Sequence, residues 1–457
     1  MSNPYPLSIY EIQAGRLPGW ANEPIMLTIP AGSVTGVLED FPAMVKLSGS
    51  SGKTAADVSK VFTALGSDAN RKRICVTASD GLTPCYVEIK EWSTATQTAF
   101  LWVRVPRINP GEDTHLYLYY DPLHAEMTDY VGDTASETAW NVWNDGCKFV
   151  GIKPSGGQLL DSTRNQNHGT IYGATEVAGP LGACYSYDGV DDYGATSSTP
   201  DASGFTQQFA VVAMISQSAT KPQSIVAANW SGSSIENTNA WFIEIDFNSA
   251  IRVGLATGAG QYQAYSYENS LTVGETHILH MTWKSGEAPK LYVDGTEQAH
   301  TSSGGARYTS IAEIEYPVEI GKAIGQRWFA GTISLVAVTN DASPAAITPA
   351  WIAATNAALR DELIVYSDPG APLTLAGYAD AYDYLSWTRR YRRPGAWKAQ
   401  INRYLPAAKE FIPGRLVHFR RNGEDRLGLI ETRQISVDVS GRPSEQWTVA
   451  GREIIGI

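Results

Sequence analysis

In the stretch WFIEIDFNS, Glu244 and Asp246 stand two apart, and a strand's period of two puts them on one face. Paired carboxylates of this kind can hydrolyse a glycosidic bond when they sit about 5 to 5.5 Å apart, one as nucleophile and one as proton donor. They can also be plain polar residues on an exposed sheet face, the reading favoured for this chain. With Trp241 and Trp230 they form a candidate carbohydrate-binding set. A second set, Asp161, Asn165, Asn167, Asp188, Asp191 and Asp192, lies in DSTRNQNHG and YDGVDD and offers the hard oxygen ligands that Ca²⁺ takes in its shell of 6 to 8. Asx-rich loops equally well hydrogen-bond their own backbone, with no metal. A third set, Trp387, Arg389, Arg390, Tyr391, Arg392, Arg393 and Trp397, concentrates guanidinium and aromatic groups, the chemistry of interface hot spots.

Other chemistries lack a foothold. His277 and His280 are three apart in a strand-like run and point to opposite faces, so they are no metal pair. The sequence shows no Ser, His and Asp set, no CxxC and no phosphate-cradling glycine loop. Four cysteines in 457 residues make no disulfide framework and are expected reduced and buried.

The elements that must position these groups are strands. With 13 Trp, 23 Tyr, 42 Gly and 24 Pro, the composition is that of an all-β chain, and its length predicts about three domains. LWVRVPRI and HLYLYYD alternate as half-buried strands, and the aromatic cluster Trp92, Trp102, Tyr117, Tyr119 and Tyr120 is expected to pack across strands rather than stack on sugar. FAVVAMISQ, AWFIEIDFN, IRVGLATG, HILHMTWKSG and KLYVDGTEQ are further strands, with VDGT a hairpin turn. Pro349 after Thr348 starts a short helix whose Trp351, Thr355 and Leu359 share a face.

The expected plan is two β-sandwich (jelly-roll) domains followed by a small antiparallel β-barrel-like module. Its parts are an N-terminal arm at 1–18, a sandwich at 19–130, a second sandwich with a closing helix at 138–360, a linker at 361–380 and the β module at 381–457. The net charge of −12 is unevenly shared, since residues 376–457 carry 14 basic and 9 acidic groups. Acidic residues interleave there, so nucleic acid is not the expected partner. No stretch reads as a membrane span or a secretory signal.

Three domain-level resemblances follow, with one at the level of a short signature. LEDFPAMVKL, ASDGLTPCYVEIKEW and TAFLWVRVPRINPGEDTHLYLYYDP resemble a β-sandwich domain of unassigned function found in phage tail and bacterial surface proteins, departing from it at RKRICVTA. LLDSTRNQNHGT, YSYDGVDDYGA, KLYVDGTEQ and IGKAIGQRWFAGTISLVAVTNDASPAAITPAWIAATNA resemble the concanavalin A-like, laminin-G-type lectin domain. WFIEIDFNS is similar to the laminarinase-like glucanase signature, but Asn248, Ser249 and Ala250 stand where that family places its proton donor. General acid help is worth about 10² to 10⁴ in rate, so the resemblance implies binding rather than hydrolysis. Finally Trp387, Gly395 and Trp397, IPGRLVHF, GLIE at 428–431 and VAGRE resemble the opening module of siphovirus tail-tip hub proteins, whose normal continuation is not seen after Ile457.

Together these resemblances imply a virion tail protein assembled in the host cytoplasm. It would dock by its C-terminal module on other tail-tip or hub proteins, be a trimer or hexamer around the tail axis, and bind host surface glycan, with no nucleic acid partner and no membrane insertion. A glycan-degrading depolymerase or a bacterial surface adhesin is the alternative. No cofactor is expected beyond a candidate Ca²⁺.

Overall fold

Alternation in the sequence becomes sheet throughout. The computed structural model describes residues 7–11, 17, 19–197, 207–229, 239–246, 250–258, 261–302, 308–311, 317–323, 327–340, 344–367, 374–379, 382–390, 393–413, 415–421, 424–437 and 443–453. The chain is all-β, two sandwiches and a curled sheet, with three short α-helices among the described residues. No described helix is long and apolar enough to cross a membrane.

The first sandwich faces two four-stranded sheets. One runs Val365–Ser367, Ile25–Ile29, Thr114–Tyr120, Ile74–Thr77, and the other Leu38–Leu47, Thr98–Ile108, Val87–Ser93, Val131–Asp133. Its edge strand Val365–Ser367 comes from the stretch expected to be a linker, and pairs with Met26 to Thr28.

In the second sandwich, the inner sheet is built on Ala330–Thr339, flanked on one side by Gln208–Gln217 and His277–Lys284 and on the other by Gly182–Asp188 and Cys147–Ser155. The outer sheet runs Gly169–Tyr172, Tyr193–Thr196, Val318–Ile320, Gln223–Asn229, Asn239–Ile245, Ala250–Gly258, Gln261–Ser270. Gln158–Asp161 pairs with both sheets at one corner. Between the sheets lie Phe209, Trp241, Ile243, Val253, Trp283 and Val336, all essentially without solvent contact.

The two sandwiches share a core rather than a linker. Val150, Ala210, Val212 and Leu335 of the inner sheet pack in one cluster with Phe41, Trp102 and Trp143, and with Trp351 of the helix Pro349–Leu359. Thr348 caps that helix, its hydroxyl accepting from the Trp351 amide at 3.3 Å. A buried polar clasp completes the contact. Lys90 donates to the carbonyls of Leu181 and, at 3.0 Å, Ala183, while Glu91 accepts from the Ala183 amide at 2.8 Å. Glu88 accepts from Trp143 Nε1 at 2.7 Å and from the Ser162 hydroxyl at 2.6 Å. At the tip of the clasped hairpin Gly182 has φ +86°, a conformation that favours glycine, and a Cβ there would also displace the Glu91 carboxylate, 2.1 Å away.

The C-terminal sheet runs Thr374–Ala379, Leu7–Glu11, Leu416–Arg421, Glu424–Val437, Pro443–Glu453, Arg393–Asn402, Tyr384–Arg390. Two expectations change here. The N-terminal arm supplies a central strand, Leu7–Glu11, paired on both sides, and the end of the linker supplies the strand Thr374–Ala379. Both reassignments depend on pairings between residues hundreds of positions apart, which local patterning cannot see.

Candidate functional site

The outer sheet presents one face to the core and the other outward, and alternation decides which residues go where. In Asn239–Ile245, Trp241, Ile243 and Ile245 point inward, so Trp241 is fully buried 6.0 Å from Phe209. This corrects its expected role, since a ring with no exposed face cannot stack on sugar. Trp230 lies outside the described residues. Phe242 and Glu244 point outward, level with Gly254 and Arg252 on the next strand.

Glu244 is not an exposed polar residue as expected. It is 2% exposed, and Arg327 donates to its carboxylate at 2.6 Å. Burial pushes the Glu244 carboxyl up, and Arg327 and Arg252 pull it back. Asp246 is half-buried at the strand's end, and its amide donates to Ala250. Asn248 and Ser249 lie outside the described residues. Around Arg327, the Gly321 amide donates to the Ile225 carbonyl at 2.8 Å and the Ser224 amide to the Arg327 carbonyl at 2.9 Å, and Ala323 packs on Ala227 and Phe242. Glu244 thus holds Arg327, and Arg327 stands beside Trp328.

Trp328 belongs to an aromatic group that sequence reasoning missed. Tyr172 and Tyr193, cross-strand partners, stack in parallel at 4.5 Å and 15°, and Tyr193 meets Trp328 at 5.7 Å. The Lys322 ammonium lies 4.1 Å from the Tyr193 ring centroid, 5.3 Å from that of Trp328 and 3.1 Å from the Glu319 carboxylate. Tyr172 is 47% exposed. Two rings, an indole and a held cation therefore form a platform on the outward face, with Ala195 of Tyr193's own strand and its cross-strand partner Glu319 beside it. Such a surface offers flat π-faces to an apolar patch and a charged donor to an oxygen. Tyr193 and Trp328 were visible in the sequence as YDGVDDY and GQRWFAG, but the pairing of Tyr193 with Tyr172 is a register fact with no local signal.

The six candidate calcium ligands form two turns rather than one shell. Asp161 is fully buried, and its oxygens accept from the amides of Val150, Thr163 and Asn167 and from the Thr163 hydroxyl, at 2.9 to 3.0 Å. Asn165 donates to the carbonyls of Cys147 and Lys148. Their polar capacity goes into the loop, as Asx turns do, which removes Asp161 as a cation ligand. Asp188, Asp191 and Asp192 do gather, with ligand atoms within 4.8 Å of one another, next to Tyr193 in the chain. Asp188 also accepts from the Val190 amide at 2.7 Å, and Asp192 from the Asp188 amide at 2.8 Å. Among the described residues, these three are the ones that could hold a cation.

The expected docking set also divides. Trp397 is 2% exposed, its Nε1 donating to the Leu429 carbonyl at 3.2 Å, and Trp387 stacks on it at 6.0 Å and on Phe419 at 6.4 Å. Both rings lie over Gly428, where a Cβ would come within 2.3 Å of Trp397 Nε1. Trp397 is thus core, and Trp387 packs against it, instead of forming a docking surface. Arg389 and Arg390 lie on the strand Tyr384–Arg390 and Arg393 opens the next, while Tyr391 and Arg392 lie outside the described residues. All four cysteines are buried and free, and burial pushes the thiols of Cys75, Cys85 and Cys147 up to about 12.

Residues 188–370 match the family model of the concanavalin A-like lectin/glucanases superfamily, and residues 70–139 match a domain of unknown function, DUF2341. The second sandwich is a concanavalin A-like lectin/glucanase domain. No curated protein matches the chain. Among solved structures, the chain is similar to Trypanosoma rangeli sialidase in complex with 2,3-difluorosialic acid, at 12% identity and a TM-score of 0.36, covering 55% of this chain and 41% of that one. It is similar also to the binding domain of Paraclostridial mosquitocidal protein 1, at 10% identity and a TM-score of 0.37, covering 67% and 92%. A third is the botulinum neurotoxin serotype D binding domain, at 11% identity and a TM-score of 0.36, covering 70% and 81%. The chain spans about two fifths of the sialidase chain's length.

Proposed function

We propose, from the premise that the second sandwich is a concanavalin A-like lectin domain, that this chain binds glycan without cleaving it, as a tail-tip component of a phage-like particle. The observation that carries the binding is the platform of Tyr172, Tyr193 and Trp328 with Lys322. A pyranose presents an apolar C–H face to an aromatic ring and hydroxyls at its rim, so rings supply contact area at low entropic cost while the ammonium fixes orientation. Glu244, tied to Arg327, serves as a positioning residue for the segment that carries Trp328.

Non-hydrolytic action is supported by the same ion pair. A retaining hydrolase needs one carboxyl free to attack and another free to donate a proton, and Glu244 is instead committed to a guanidinium. Placement on a tail is supported by the likeness of the C-terminal sheet's sequence to hub modules and by the basic balance of that segment. The docking surface would use the arginines at 389–393 against carboxylates of a tail-tip protein, with copies arranged around the tail axis.

The test is to offer the purified chain to host capsule, cell-wall and outer-surface polysaccharides while measuring both retention and new reducing ends. The expected result is saturable retention on one polysaccharide class with no reducing ends released. Robust release that is lost in Glu244→Gln would overturn the non-enzymatic reading, and absence of retention on every class would overturn the binding.

A further inference from the structure

The C-terminal sheet is built from both ends of the chain. Leu7–Glu11 pairs with Thr374–Ala379, Leu7 opposite Ala379 and Glu11 opposite Thr374. Antiparallel neighbours are usually joined by a turn of about 2–5 residues. Here they are joined by everything from residue 12 to residue 373, which includes both sandwiches. The sheet's core is nevertheless its own. Among the described residues, Trp397, Ile401, Phe411, Val417 and Val449 pack in one cluster to which neither sandwich contributes a side chain.

The registers also fix where the two ends of this sheet lie. Tyr10 is level with Leu416, Leu416 with Leu429, Leu429 with Arg452 and Arg452 with Ala396. Four antiparallel steps make Arg393–Asn402 run in the same direction as Leu7–Glu11. Arg393, three residues before Ala396, therefore stands near the level of Leu7, three before Tyr10, and pairs there with Arg390. Glu11, where the chain leaves for the sandwiches, is at the other end of its strand. Leu7–Glu11 and Tyr384–Arg390 are five strand spacings apart, roughly 24 Å along the sheet. The arginine turn and the exit to the sandwiches thus occupy opposite corners.

We infer that the C-terminal sheet with Leu7–Glu11 is a host domain into whose hairpin the two sandwiches are inserted as one head, and that this chain holds glycan and docking partner at the same time, at opposite corners of that domain. The insertion stands on the pairings and the separate core. The simultaneous holding rests on the proposed docking through the arginines at 389–393 and on the glycan platform in the inserted head. A partner seated on the arginine turn leaves the exit to the head uncovered, so neither occupant hinders the other.

Calorimetric melting of the full chain should show the sheet and the sandwich pair as separate transitions. Ile9 pairs with Gly377 on one side and Val417 on the other, so Ile9→Pro removes a backbone N–H from a strand paired on both edges. It should lower the sheet's transition by about 5 °C or more and leave the sandwiches' in place. Gly428→Ala, at the far end of the sequence, should lower the same transition and no other. Thr388 is exposed beside the arginines and the four native cysteines are buried, so Thr388→Cys can be biotinylated and captured on streptavidin as a bulky stand-in for a docked partner. The captured chain should bind the polysaccharide that the free chain retains within two-fold of the free affinity. A single transition, or an Ile9→Pro that moves the sandwiches' transition or moves neither, would overturn the insertion. A ten-fold loss of affinity on capture would overturn the simultaneous holding. A free chain that retains no polysaccharide overturns the glycan reading and the simultaneous holding with it, while the melting comparison still decides the insertion.

Discussion

Tyr172 and Trp328 are the residues on which glycan affinity should depend. Truncating either to Ala removes a stacking surface, so each change should weaken binding about ten-fold, roughly 1.4 kcal/mol, with little effect on the unfolding temperature, as affinity and melting measured side by side will tell. Arg327→Ala acts differently, because it leaves the Glu244 carboxylate buried and unpaired. It should cost about 3 kcal/mol of stability by denaturant unfolding and also loosen the Trp328 segment. What was legible at this scale was alternation, which alone puts Glu244 and Asp246 together and Trp241 on the opposite face. Three positions, an odd step along the strand, separate the buried Trp241 from the outward Glu244, so that correction was available from the sequence. The burial of Glu244 was not, since Arg327 is 83 residues away. The Asx loop at Asp161 had two readings of equal chemistry, and only the coordinates of the amides around it decide between them.

At the scale of elements, the strand Leu7–Glu11 is the joint most exposed to test. It sits between Thr374–Ala379 and Leu416–Arg421, and among the described residues no other strand pairs with both. Deleting residues 1–16 should therefore leave both with unpaired ladders and raise amide hydrogen exchange across them, while the two sandwiches keep their protection. Unchanged exchange would contradict the pairing. Gly428→Ala puts a methyl against the Trp397 indole and should destabilise this sheet by about 1–3 kcal/mol in thermal unfolding. Individual strands and the Thr348-capped helix were legible because period and capping are local. Strand partners were not, because pairing at long sequence separation leaves no local trace.

For the whole molecule, the clasp between the sandwiches makes a pH prediction. Burial holds Lys90 down to about 8 against an ordinary 10.5. Between those values the unfolded chain binds a proton that the folded chain lacks, so this residue makes stability rise with pH from 8 to 10.5. In Lys90→Met that contribution should vanish, read as the difference in melting temperature between parent and variant across the window. The parent and variant running parallel would mean that the ammonium is solvated. Fold class and the presence of three β units were legible from composition and turn spacing. The shared core was not, because the inner sheet's outward apolar residues at Ala210, Val212 and Leu335 read equally well as half-buried positions of a free-standing sandwich.

The most direct measurement is the affinity of the full chain for the polysaccharide it retains, compared with Tyr172→Ala/Trp328→Ala and with Tyr384→Ala, an exposed tyrosine of the C-terminal sheet, as the control. The platform account predicts a loss of at least ten-fold in the double variant and none in the control. Undiminished affinity in a folded double variant would contradict it.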